Sequence, residues 1–206
     1  MYAIVKDNNI TQYINYPKSV VIGDIRYPAK IFELWSTAEK EAIGIYEIIV
    51  DQTNYKDPKY YNNTNSTYTF ADGQVTESWG TATPKRLEDE NAVDEDGENI
   101  LDDDGNQVIN YGLKTEKKRI IKKQASGLLE KTDWHNHKAL DDDTYTIPEN
   151  IKTYRANVRA KSNEMETQID ACNNVDELKT LYEYVNTGTE ENPVYERPLA
   201  EFPKEI

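Results

Sequence analysis

Apolar and polar positions change their rhythm along this chain, first from short blocks to an acidic stretch and then to helical spacing. Up to residue 80 the apolar residues come in runs at 1–5, 10–14, 45–50, 68–71 and 74–79, separated by polar turn formers. Runs of this length bounded by Asn, Asp, Gly or Pro read as strands. Asp7-Asn8-Asn9 between the first two predicts a hairpin, and Asp72-Gly73 predicts another between the last two. Ser36-Thr37-Ala38-Glu39 has the spacing of a capping box, so a short helix is expected over 37–43, with Gly44 as its left-handed stop. Tyr27-Pro28 leads into Ile31-Phe32-Glu33-Leu34-Trp35, and 45–50 is expected as a buried strand.

From Leu113 onward the spacing is helical. Leu113, Ile120, Ile121, Ala125, Leu128 and Leu129 fall near one face, with Lys117, Lys118, Lys122 and Lys123 largely outside it. A second helix is expected after Pro148, striped by Ile151, Tyr154, Val158, Met165, Ile169 and Cys172. Asn174 with Glu177 three residues on predicts the start of a third, whose apolar side is Val175, Leu178, Leu181, Tyr182 and Val185. The last residues carry Pro193, Pro198 and Pro203 and read as an extended tail. The expected class is α+β: a small α/β module over 1–84, an acidic linker or hairpin over 85–112, a two- to three-helix antiparallel bundle over 113–188, and the tail over 189–206.

The acidic stretch changes the picture of the middle. Residues 88–104 hold ten acidic side chains and no basic one. Asp94-Glu95-Asp96-Gly97-Glu98-Asn99-Ile100-Leu101 is echoed by Asp102-Asp103-Asp104-Gly105-Asn106-Gln107-Val108-Ile109, a repeat of period eight. Two copies are too few for a solenoid, so Asp-Gly hairpins or a flexible linker are expected, with 88–112 the weakest-ordered part. An EF-hand is excluded by position. Counting back from Gly97 or Gly105 places Ala92 or Ile100 where the first oxygen ligand belongs.

Composition narrows the function classes. A mean hydropathy of −0.86 is low for one large core, although 15 Tyr and 3 Trp add apolar area with polar edges. A net charge of −14 argues against nucleic acid and anionic membrane as partners. The first residues lack a basic region followed by an apolar core, so synthesis in a cytoplasm is expected. Cys172 is the single cysteine and can form no intrachain disulfide. His135-Asn136-His137 could offer two imidazoles to a metal in an oligomer, but the residues read better as a polar loop between helices. The lysines between 114 and 123 read as a solvated helix face that attracts the acidic segment before it. No nucleophile elbow, phosphate loop or zinc-binding histidine-glutamate motif occurs, and no cofactor is expected.

Leu128-Leu129, Thr132-Asp133-Trp134, Tyr154-Arg155, and a closing Arg197-Pro198-Leu199 with Phe202-Pro203 resemble the tail fibre assembly chaperones of tailed phages. That family usually closes on Trp-Pro, from which Phe202-Pro203 departs conservatively. Ile22-Gly23-Asp24, Tyr27-Pro28, Ile31-Phe32, Leu34-Trp35-Ser36, Glu39-Lys40 and Ile43-Gly44-Ile45 are similar to a module in fibre-associated proteins of marine phages. The resemblance implies a non-enzymatic protein, made in the host cytoplasm and destined for the virion tail. Its partner would be a trimeric tail fibre or tail protein, and an exposed aromatic surface also permits self-association. Trp134, Tyr154, Arg155, Leu128 and Leu129 are the implied partner-binding residues, with Trp134 expected to cover the end of the helical hairpin and Arg155 to stack on it. A competing reading makes the N-terminal module a glycan binder or structural adaptor of the fibre, with Trp35 and Trp79 as stacking platforms.

Overall fold

Tyr2-Ala3-Ile4-Val5 has no polar face because the strand it forms is buried on both sides. The structure is a computed structural model describing residues 1–206, in two compact units, Met1–Thr83 and Pro84–Ile206. In the first, β1 (Tyr2–Lys6) and β2 (Asn9–Ile14) form the expected hairpin, turning through Asp7 and Asn8 at φ 51° and 61°. A second hairpin follows, β3 (Val20–Ile22) and β4 (Ile25–Tyr27), then a single helical turn α1 (Ile31–Leu34) and α2 (Thr37–Glu41). Ser36 and Glu39 make both halves of the capping box. Gly44 ends this stretch at φ 82°, where a Cβ would lie 2.6 Å from the Val5 carbonyl oxygen.

Next come β5 (Ile45–Asp51), β6 (Tyr61–Asn62), β7 (Ser66–Ala71), β8 (Gln74–Trp79) and β9 (Thr83–Pro84). Five strands form one curled sheet in the order β2-β1-β5-β8-β7, with only β5 and β8 parallel. Alternation sends Ile4 to one face, with Ile14, Val20, Ile31, Phe32 and Ile45, and sends Ala3 and Val5 to the other, with Ile48 and Val75. Ile10 and Ile14 share sequence parity yet pack on opposite faces. The register of β1 on β2 shifts between Ile4 and Val5, so Thr11 is the extra residue of a bulge, and its hydroxyl donates to the Ile4 carbonyl at 3.1 Å. The edge strands curl until Tyr13 and Tyr68 meet at 4.7 Å between ring centroids. β5 departs from its expectation: Ile45 and Ile48 are buried, whereas Ile49 and Val50 are exposed.

In the second unit the acidic segment is folded. Two tandem hairpins stand on a short ladder of β10 (Glu90–Asn91) and β11 (Ile109–Asn110), with bridges Val93 to Asn99 and Leu101 to Gln107. Asp94 and Asp102, the first residue of each repeat, accept backbone N–H groups of their own turns, and Gly97 and Gly105 take φ of 84° and 82°. Residues 92, 100 and 108, eight apart, close a ring of backbone bonds. Ala92 N–H donates to Val108, Val108 N–H to Ile100, and Ile100 N–H to Ala92, at 2.8–2.9 Å. The Gln107 amide nitrogen lies 2.8–3.2 Å from all three of those carbonyl oxygens. Charge repulsion, the ground for expecting a flexible linker, is outweighed because the repeat binds its own backbone.

Gly112 joins this segment to α3 (Leu113–Glu130), packed so closely that a Cβ would sit 2.4 Å from the Leu87 and Glu88 carbonyl oxygens. Asp89 caps the helix from a distance, accepting Gly112 N–H at 2.7 Å and the Thr115 hydroxyl at 2.9 Å. After α3 come α4 (Asp133–Asp141), α5 (Glu149–Asp170) and α6 (Val175–Tyr182). Pro148 precedes α5 as expected, and Asn174 caps α6, accepting Glu177 N–H at 2.9 Å. The first helical face differs from its expectation: Ile120 is exposed while Lys114 is buried. The tail is not free. β12 (Val185–Asn186) pairs with β13 (Tyr195–Glu196), Leu199 is buried, and Phe202 packs on Ala125, Tyr154 and Val158.

Two predictions follow from these bonds. Gln107→Ala should strip hydrogen-exchange protection from the amides of residues 92, 100 and 108 while leaving α3 protected, as NMR exchange rates would report. Hydrogen bonds also lower carboxyl pKa values, among them Asp89 chiefly through Gly112 N–H, Asp102 through Asn106 N–H, and Glu177 through Asn173 N–H. A carboxylate with a lowered folded pKa contributes stability in full above its unfolded value and loses it as pH falls through the folded one. Urea denaturation of the chain should therefore show this contribution constant above about pH 5 and declining below about pH 4.

Candidate functional site

Lys131-Thr132 is the whole connection between α3 and α4, so the carbonyls at the end of α3 need partners from elsewhere. Arg155, in the second turn of α5 and 7% exposed, supplies them. Its Nη1 donates to the Leu129 carbonyl at 2.8 Å and to the Thr132 hydroxyl at 2.7 Å. Its Nη2 pairs with the Asp133 carboxylate at 2.7 Å. The Thr132 hydroxyl donates in turn to the Leu129 carbonyl at 2.9 Å. The cation lies at the negative end of α3, and Asp133 lies in the first turn of α4, so both helix dipoles favour the pair. Tyr154 is buried beside it with Ala125 and Val158, and Leu128 and Leu129 pack against that cluster half-buried.

Trp134 stands apart from this joint. It is 54% exposed and stacks on His135 at 3.7 Å between centroids. The buried His135 shares a hydrogen bond through Nδ1 with the Tyr145 hydroxyl, and the Lys138 ammonium lies 4.4 Å from the centre of the Tyr145 ring. Two expectations are corrected here. Trp134 does not cover the hairpin end, and the Arg155 guanidinium is held by a carbonyl, a hydroxyl and a carboxylate rather than by the indole. Such charge-assisted bonds outweigh ring stacking for a buried cation. His135 and His137 lie on helix α4 rather than in a loop, one buried and one exposed, and no cluster of three or more His, Cys, Asp or Glu is arranged to hold a metal ion.

The basic face of α3 is paired along its length. Lys114 donates to the Asp170 carbonyl at 3.0 Å and to Glu88 at 2.5 Å, Lys118 pairs with Asp170 at 2.7 Å, and Lys122 with Glu166 at 3.2 Å. The Asp170 carboxylate holds the Lys118 ammonium above its ordinary pKa. Only Lys114 reaches the acidic segment, as expected; the other two meet α5. Sequence reading missed Thr132 and Asp133 as members of the joint, and Lys114 as the buried cation at the opposite end of α3. A usable signal was present: positions 151, 155, 158, 162, 165, 169 and 172 alternate spacings of four and three, the seam of packed helices. That seam places Arg155 and Ser162 inside, where both are buried.

Comparison with protein-family models, with characterised proteins and with solved structures returned no match to this chain.

The geometry assigns opposite roles to two residues of one motif. Arg155→Ala should cost about 1.5–3 kcal/mol of stability, from the charged hydrogen bonds it removes. Trp134→Ala, at an exposed position, should stay within roughly 0.5–1 kcal/mol of the parent. Thermal and urea denaturation of both variants measures the contrast.

Proposed function

We propose that this chain is a non-enzymatic, fibre-associated protein of a tailed bacteriophage, which binds a trimeric tail fibre and assists its assembly or stays attached in the virion tail. The observation that carries the reading is the exposure of Trp134 within a motif whose other members are used internally. Leu128, Leu129, Tyr154 and Arg155 build a rigid joint. The indole beside them is left accessible on a short helix, supported from behind by His135 and Tyr145. A rigid aromatic anchor of this kind suits a binding hot spot, because little side-chain freedom is lost on contact.

The proposed division of labour follows the α+β layout. The antiparallel helical bundle would carry the fibre contact, the N-terminal α/β module would dock elsewhere on the tail, and the acidic hairpins would keep the complex soluble. Unassembled fibre strands fold slowly and expose edges that pair wrongly, so a partner that covers them until trimerisation raises the yield. Glycan binding by the N-terminal module is the less favoured alternative. Trp35 packs edge-on against Tyr27 at 5.7 Å and Trp79 against Tyr55 at 5.1 Å, and both indoles are half-buried.

Co-expression with the fibre protein tests the proposal. Trp134→Ala should weaken capture of the fibre by roughly thirtyfold or more, the loss expected of a hot spot, with the melting temperature unchanged. Unaltered capture would remove Trp134 as the anchor, and no capture by the parent chain would remove the function. Mass spectrometry of purified virions separates the two versions: a retained component is present in fixed ratio to the fibre, and a transient chaperone is absent.

A further inference from the structure

On the face of the N-terminal sheet that carries Ile4, two polar side chains point the same way and bind nothing in the chain. Alternation along β1 puts Lys6 on the side of Ile4. The Thr11 bulge pairs Gln12 with Ile4 and Ile10 with Val5, so Gln12 is turned to that side as well. Neither the Lys6 ammonium nor the Gln12 carboxamide has a hydrogen-bond or ion-pair partner in the chain. Facing them, the β3–β4 hairpin contributes Val21 and Ile22, and the turn after α2 contributes Ile43. Between these walls lies a cleft of about 530 Å³ with the buried Ile4 at its base.

Wall and rim of this cleft differ in kind. Ile22 and Ile43 are half-buried against the core cluster around Ile45, so packing holds the apolar wall in place. Lys6 is the one charged residue that lines the cleft, in a chain whose net charge is −14. An ammonium offers three donors and a carboxamide two, which suits an acceptor-only group such as a carboxylate. The field of so acidic a chain repels a phosphate more strongly than a singly charged group, and no guanidinium fork lines the cleft to hold one. The same field disfavours a second copy of the chain as occupant. Clefts of roughly 300–1,000 Å³ with an apolar wall and a few convergent polar groups are the usual seats of small ligands.

We propose that this cleft binds a small aliphatic monocarboxylate, its hydrocarbon chain against Ile4, Ile22 and Ile43 and its carboxylate held by Lys6 and Gln12. Both ends of the ligand contribute. Each methylene buried tightens binding by about three- to fourfold. The charge-assisted hydrogen bonds select the acid over an alcohol or an amine of equal length. The site lies wholly within the N-terminal unit and stands independently of fibre binding through Trp134, which is read in a different assay.

NMR titration of the ¹⁵N-labelled full-length protein tests it, with octanoate, hexanoate, octanol and octylammonium as probes below their micellar concentrations. Octanoate should shift the amides of Lys6, Gln12, Gly23 and Gly44 to saturation. Hexanoate, two methylenes shorter, should bind about tenfold more weakly. Octanol should also bind at least about tenfold more weakly than octanoate, and octylammonium should give no saturable shift. Lys6→Gln should weaken octanoate about tenfold and leave octanol unchanged, while Lys6→Arg retains octanoate binding. Equal affinity for octanoate and octanol would make the cleft a seat for an apolar group of any kind and overturns the proposal. Octanoate shifts that do not saturate, that fall only in the C-terminal unit, or that Lys6→Gln leaves unchanged also overturn it.

Discussion

Two buried cations, each placed at the end of the opposite helix, hold the helical unit together. In an antiparallel pair the start of one helix lies beside the end of the other, where unpaired carbonyls and the negative end of the dipole meet. Lys114 at the start of α3 reaches the Asp170 carbonyl at the end of α5. Arg155 near the start of α5 reaches the Leu129 carbonyl at the end of α3. A dipole contribution of about 0.3–1 kcal/mol per cation, up to about 2 when partly buried, adds to the hydrogen bonds themselves. Because Arg155 also holds Thr132 and Asp133, the same clasp orients α4, and with it Trp134. The joint decides which way the exposed aromatic faces.

Local signals were legible in the sequence where one residue or one turn decides the conformation. The hairpins at Asp7-Asn8 and Asp72-Gly73, the Ser36 capping box, the stop at Gly44, the start of α5 after Pro148 and the Asn174 cap all follow from chemistry within a few residues. Long-range choices were not legible. The bulge at Thr11 exists because β1 needs apolar partners on both faces, which no local pattern in β2 reveals. Lys114 counts as polar in any periodicity argument, yet it is buried because a helix end awaits it. The acidic segment misled for a related reason. Its composition signals repulsion, while its repeat signals hairpins, and the ring at Ala92, Ile100 and Val108 is what makes the second signal prevail.

On the proposed reading, the residues around the α3–α4 connection combine stability and recognition. Arg155, Tyr154, Thr132 and Asp133 are committed to internal contacts, and substituting them would disturb any partner surface indirectly through the angle of α4. Trp134 is the member whose loss leaves the packing intact. A loss of partner binding on changing Arg155 would therefore reveal little about contact, whereas the same loss at Trp134 identifies the contact itself. Trp35 and Trp79, half-buried in the N-terminal unit, act as internal references because their surroundings are already packed.

That contrast lets one titration distinguish Trp134 from the other two indoles. The chain holds three tryptophans, so ¹⁹F-labelled tryptophan gives three resolvable signals, assigned by single substitution. Purified fibre is then added stepwise to the full-length protein. With Trp134 as the fibre contact, its signal should shift or broaden on binding while those of Trp35 and Trp79 hold their positions. A response at Trp35 or Trp79 with Trp134 unmoved would contradict that assignment and place the contact in the N-terminal module.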